Sequence, residues 1–278
     1  MYRVPRPSLA LILMLLLASQ LVATDVYLPA LPQIASEFGG RAGPVQWTLT
    51  AFILAFGLAQ LGVGWRADQI GRRPLLLWGL GLYVVAATLG ALASGLAILI
   101  ASRVVLGIGT AMCIVGARAV IRDRYEGAAG MGVMARSMSG MGAIGVLSPL
   151  AGGIVTQTMG WHWTLALVAG FGTLAWLAVY CGLEESCTAH ASTASNSSTA
   201  ALGYFAILRH RQFLACSLLA GTSFSGAMCF LLLSPFVFIR DLGLSRLAYG
   251  AVPASCTLAF LAGTVLCRHA LQRHAVPR

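Results

Sequence analysis

Residues 9–32 read LALILMLLLASQLVATDVYLPALP. The first fifteen are apolar almost without a break and look made for lipid. Then comes Asp25. A carboxylate near the middle of a membrane-spanning helix costs roughly 2.5–3.5 kcal/mol on insertion scales. The stretch therefore fixes the solvent of the chain and raises the question of why the acid is there.

The remainder of the chain agrees on the solvent. Of its 278 residues, 58% are hydrophobic and 9% are charged, against about 25% charged in a soluble domain. The mean hydropathy is +0.84. Apolar runs long enough to span a bilayer are expected at 8–31, 45–64, 74–94, 97–121, 131–155, 161–183, 213–236 and 247–268. They are long and do not alternate, which excludes a β-barrel. The expectation is an all-α polytopic membrane protein. Arg3 and Arg6 precede the first run as they would in a signal peptide, but the run is long and others follow, so it reads as a retained span.

The net charge is +10, and all 18 basic residues are arginine. Without lysine there is no Walker-type phosphate loop and no Schiff-base chemistry. The arginines sit in short loops, which reads as topology rather than as a nucleic-acid surface. With the N-terminus in the cytoplasm, Arg66, Arg72, Arg73, Arg122, Arg124, Arg136, Arg209, Arg211 and both chain ends fall on the cytoplasmic side. Only Arg41, Arg240 and Arg246 fall opposite, as the positive-inside rule requires. Trp47, Trp65, Trp161 and Trp163 lie at span ends, where interfacial anchors belong. The seven cysteines include no CxxC pair and the five histidines no HxxxH pair. They point to packing, with no metal site.

Residues 184–203, EESCTAHASTASNSSTAALG, are the one long polar stretch and read as a flexible linker. They divide the chain into a six-helix unit at 1–183 and a two-helix unit at 204–278.

The loop GWRADQIGRRP at 64–74 brings Gly64, Asp68, Gly71, Arg72 and Arg73 into one tight turn between two spans. Its G-x-x-x-D-x-x-G-R-R spacing resembles the loop between the second and third helices of the major facilitator superfamily, with Gln69 where that family usually has a basic residue. SRVVLGIG at 102–109 is similar to the family's R-x-x-x-G motif. GAIGVLSPLAGG at 142–153 is similar to its antiporter motif, carried here by Gly142, Pro149, Gly152 and Gly153, with Ser148 in place of a glycine. TDVYLPALP at 24–32, Arg122-Asp123-Arg124-Tyr125, SPF at 234–236 and CRHALQR at 267–273 resemble the bicyclomycin/chloramphenicol resistance branch of the drug:proton antiporters.

The resemblance implies a major facilitator fold of twelve helices in two halves. Against that pattern this chain supplies a complete N-terminal six-helix bundle and about two helices of the C-terminal bundle, so it reads as an incomplete chain or as one completed by a partner chain or an oligomer. The implied function is proton-coupled efflux of small-molecule drugs across a bacterial inner membrane, driven by the proton gradient with no cofactor and no nucleic-acid partner. Asp25 would carry the coupling proton, with Arg103, at similar depth in its own span, modulating it. Tyr27, Gln60, Met138 and Met141 are substrate-cavity candidates. A non-transporting membrane sensor or assembly partner, or a metabolite or sugar carrier of the same superfamily, stays open as an alternative. A membrane enzyme would need a nucleophile–base pair or metal ligands at matching depth, and neither is legible. GMGAIG at 140–145 fits a dinucleotide fingerprint in letters only, since no strand precedes it. Small residues there suit close helix packing instead.

Overall fold

The computed structural model describes residues 9–125, 127–184 and 210–273. Every regular element among them is helical. In chain order they are α1 (Leu9–Asp25), a 3₁₀ turn at Leu28–Ala30, α2 (Leu31–Glu37), α3 (Ala42–Ile70), α4 (Arg72–Ala91), α5 (Leu96–Arg124), α6 (Gly127–Thr158) and α7 (Trp161–Gly182). Then follow α8 (Arg211–Pro235), a π-helical turn at Phe236–Asp241, and α9 (Arg246–Arg273). Seven helical stretches among the described residues are long and apolar enough to cross a membrane. The span expected at 247–268 is α9; several of its side chains lie outside the described ones, and it is not counted in the seven. Most of the 184–203 linker also lies outside the described residues.

Burial follows from sequence face by face. α1 is apolar all round, and a helix of that kind must be covered on all sides. It is the core helix: Ile12, Leu13, Leu16 and Ala18 are wholly buried. α3 instead leaves Leu54, Leu58 and Leu61 exposed along one face, the i, i+4, i+7 spacing of a stripe turned to lipid. Glycines let the inner helices touch. A β-carbon on Gly107 of α5 would stand 2.5 Å from the Phe52 carbonyl of α3, and one on Gly109 would stand 2.7 Å from the Gly79 carbonyl of α4. Without a hydrophobic drive between helices in lipid, such close backbone contact carries the packing.

The first span is not one continuous helix, as the sequence expectation had it. α1 stops at Asp25, and the chain turns through Val26 and Tyr27 before α2 carries it on to Glu37. Pro29 has no N–H to give the Asp25 carbonyl, and Pro32 does the same one turn later. Tyr27 N–H donates to the Thr24 carbonyl at 3.2 Å, tightening the last turn and leaving the Ala23 carbonyl without the Tyr27 N–H as its helical partner. Trp161 corrects a second expectation. It stands at a span end but is buried against α2, with its indole N–H donating to Glu37 Oε2 at 2.6 Å. Trp47, Trp65 and Trp163 are the exposed ones.

Candidate functional site

Among the described residues, three charged side chains are buried: Asp25, Arg72 and Arg103. Two of them meet at the break in α1.

Arg103 projects from α5 and is wholly buried. Its Nη1 donates to the Ala23 carbonyl at 2.9 Å, the acceptor freed by the turn. A cation at a helix C-terminus also meets the negative end of the helix dipole. The guanidinium lies over the Tyr27 ring, its Cζ 3.5 Å from the centroid, with Phe52 at 5.9 Å, a desolvated cation–π contact. Tyr27 is held in turn by its hydroxyl, 2.9 Å from Thr48 Oγ1. Nε and Nη2 of Arg103 have no hydrogen-bond partner.

Asp25 is 7% exposed. Its Oδ1 lies 3.0 Å from Thr24 Oγ1, which is also 2.9 Å from the Gln20 carbonyl. Thr24 has one hydroxyl proton for these two acceptors. With Asp25 ionised, Thr24 donates to it. With Asp25 protonated, the acid donates to Thr24 and Thr24 donates to Gln20. The pair thus accommodates either protonation state without moving a heavy atom. No ion pair joins Asp25 to Arg103. The arginine instead grips the backbone two residues before the acid and the ring two residues after it, and so fixes the turn from which Asp25 projects.

The antiporter-like stretch of α6 lies against this turn. A β-carbon on Gly152 would collide with the Val26 carbonyl. The same helix also meets α9: a β-carbon on Gly153 would stand 2.6 Å from the Arg246 carbonyl, and one on Gly250 2.6 Å from the Pro149 carbonyl. Gly142 is buried in the same helix.

At the far end of the bundle, Gly71 alone separates α3 from α4, with φ +94°, a conformation in which only glycine is unstrained. Arg72 Nε donates to Asp123 Oδ2 at 2.7 Å. Arg73 Nη2 donates to the Tyr180 carbonyl at 3.1 Å, and its guanidinium stands over the Tyr180 ring at 5.7 Å. The motif thereby ties α4 to α5 and α7. Gly64 lies in open surroundings. Asp68 is on the last turns of α3, and its side chain falls outside the described ones. Asp123 was legible only as part of a family signature; its pairing with a residue 51 positions away has no local signal.

The four cavity candidates differ in their surroundings. Tyr27 is wholly buried beneath Arg103, Gln60 is half-buried on α3, Met141 packs against the α1 core, and Met138 is 48% exposed. Five cysteines are free, and no cluster of three metal-ligating side chains occurs among the described residues.

These features define a class: a multi-pass helical membrane protein with an acid and an arginine buried at a break in its central helix. Residues 13–277 match the Major Facilitator Superfamily, and the chain belongs to that family. It is 36% identical over 158 residues to multidrug resistance protein D of Escherichia coli, covering 56% of this chain and 39% of that protein. It is 35% identical over 174 residues to a chloramphenicol resistance protein of Pseudomonas aeruginosa, covering 61% of this chain and 41% of that protein. The matched part thus spans about two fifths of the length of both relatives. In fold, it superimposes on a bacterial homologue of the human lysosomal transporter Spinster, in its inward-facing and occupied conformation, with a TM-score of 0.77 and 19% identity, over 97% of this chain and 62% of that one.

Proposed function

We propose that this chain carries the proton site of a drug:proton antiporter of the bicyclomycin/chloramphenicol resistance branch, exporting small molecules across a bacterial inner membrane with its N-terminus in the cytoplasm. The observation that carries the reading is Asp25: a buried acid at the break of the central helix, with a hydroxyl partner that serves both of its protonation states. Arg103 holds a fixed positive charge beside it. With Asp25 ionised the pair is neutral; with Asp25 protonated the site is positive. A cationic drug is favoured in the first state and disfavoured in the second, so the site binds either the proton or the drug, and proton arrival expels the drug. Relatives named for multidrug and chloramphenicol resistance support the substrate class. The energy source is the proton gradient, and no cofactor is needed.

The test is proton-driven efflux in inverted membrane vesicles, with chloramphenicol and a fluorescent cationic dye, comparing the chain with Asp25→Asn. Efflux that collapses in Asp25→Asn at equal membrane insertion supports the reading. Proton-coupled efflux undiminished in that variant would sink it.

A further inference from the structure

The SPF stretch at 234–236 belongs to none of the groups described so far, and it is where α8 meets the rest of the molecule. Nearly all of α8 is exposed, but Ser234, Pro235 and Phe236 are buried. Phe236 enters the same apolar cluster as Val22, Val26, Tyr27 and Tyr249. Tyr249, on the first turn of α9, is wholly buried, and its hydroxyl lies 2.8 Å from Ser234 Oγ. A hydroxyl pair enclosed among apolar side chains, linking the two C-terminal helices, is costly to desolvate.

Its position explains it. α6 is a common platform: the Pro149 carbonyl receives Gly250, and Gly152, one turn further on, receives the Val26 carbonyl. Gly145 of the same helix packs against both Leu21 of α1 and Thr257 of α9, and Tyr249 shares its buried cluster with Val26 and Tyr27, the two residues that follow Asp25. The other charged or titratable groups of this region are Tyr27 on the turn, Tyr83 from α4, whose hydroxyl donates to the Ser19 carbonyl at 3.1 Å, Arg103 from α5 and Cys256 on α9 itself. α6 has no charged residue between Ser137 and Thr158, and α7 none between Thr164 and Gly182.

We propose that the Tyr249–Ser234 hydroxyl pair is a positioning device for Asp25, which makes its protonation depend on the placement of α8 and α9. The inference rests on the Asp25 reading above. The pair has two donor orders. Ser234 Oγ lies 3.3 Å from the Leu231 carbonyl. If Ser234 donates there, Tyr249 donates to Ser234 and turns its lone pairs outward. If Ser234 donates to Tyr249, the phenol proton is released to point toward the acid. No bond breaks and no proton changes owner; two hydroxyls rotate. The N-terminal helices supply the acid, and the C-terminal helices supply the group that senses it.

The test follows the infrared carbonyl stretch of Asp25, identified as the band lost in Asp25→Asn, against pH in the full chain held in lipid nanodiscs. Tyr249→Phe keeps the buried ring and removes the hydroxyl. Ser234→Ala removes only the second hydroxyl and serves where the first variant folds poorly. Val252→Ala, a packing change in the same cluster, is the control. The expected result is a titration midpoint displaced by at least about half a pH unit in Tyr249→Phe and in Ser234→Ala, and unmoved in Val252→Ala. A midpoint unchanged in both hydroxyl variants overturns this proposal and leaves the Asp25 reading standing. A band that titrates in no variant overturns both.

Discussion

Arg103 is the residue on which the site turns. It has one hydrogen bond, one close and one more distant aromatic ring, and two nitrogens without a hydrogen-bond partner, a poor return for a desolvated cation. Breaking its bond to the Ala23 carbonyl leaves that acceptor buried and removes a charge-assisted interaction of about 1.5–3 kcal/mol. The cation–π contact adds about 2 kcal/mol when desolvated. Arg103→Ala is therefore expected to lower the stability of the detergent-solubilised protein by about 3 kcal/mol or more, read as a fall in thermal midpoint. Arg103→Met fills the volume and removes the buried charge, so its loss should be smaller. Equal midpoints for the wild type and Arg103→Ala would show that the Ala23 contact carries no stability. Asp25 and Arg103 were both legible in the sequence as charges in apolar runs. That they share a turn rather than a salt bridge was not, because the acceptor Arg103 uses is a backbone carbonyl, and backbone carries no sequence signal.

At the scale of elements, hydropathy found the helices and missed the break. The signal was present in TDVYLPALP: two prolines three residues apart each withhold an N–H, and a residue before proline avoids the α region. Hydropathy averages over such details, so the stretch read as one span. Glycines behave in the opposite way. Gly152 and Gly170 are alike in sequence, but only structure separates a contact from an open face. A β-carbon at Gly152 meets the Val26 carbonyl, while one at Gly170 meets nothing within 4 Å. Gly152→Ala is expected to cost about 1–3 kcal/mol by overpacking and to push α6 off the α1 turn. Gly170→Ala should be neutral or stabilising by up to about 1 kcal/mol through helix propensity. Parallel thermal unfolding of the two variants decides it: similar behaviour would mean that the α1–α6 contact yields freely. Gly71→Ala carries a different penalty, about 1–3 kcal/mol of backbone strain from its positive φ.

For the whole molecule, the question is where the N-terminal helices and the C-terminal pair are joined. Polar ties between them gather at the end opposite the Arg72–Asp123 pair. Arg240 Nη1 donates to the Gly40 carbonyl at 3.3 Å, Arg246 Nη1 to the Thr156 carbonyl at 3.4 Å, and Leu247 N–H to Gln157 Oε1 at 3.2 Å. The first helical turns of α8, toward the arginine-rich end, are exposed. A molecule fastened at one end can rock about that end, and the fastening must release if the site is to open there. Gln157 and Leu247 are suited to test this, since they meet through one side chain and one backbone N–H. In a background with the native cysteines replaced, Gln157→Cys with Leu247→Cys should cross-link on mild oxidation and block access of a membrane-impermeant thiol reagent from that end to a cysteine at Val26. Reduction should restore whatever access the uncross-linked protein allows. Reagent entry that is the same before and after cross-linking would place the moving joint elsewhere, and would leave the three ties as static contacts of a rigid bundle.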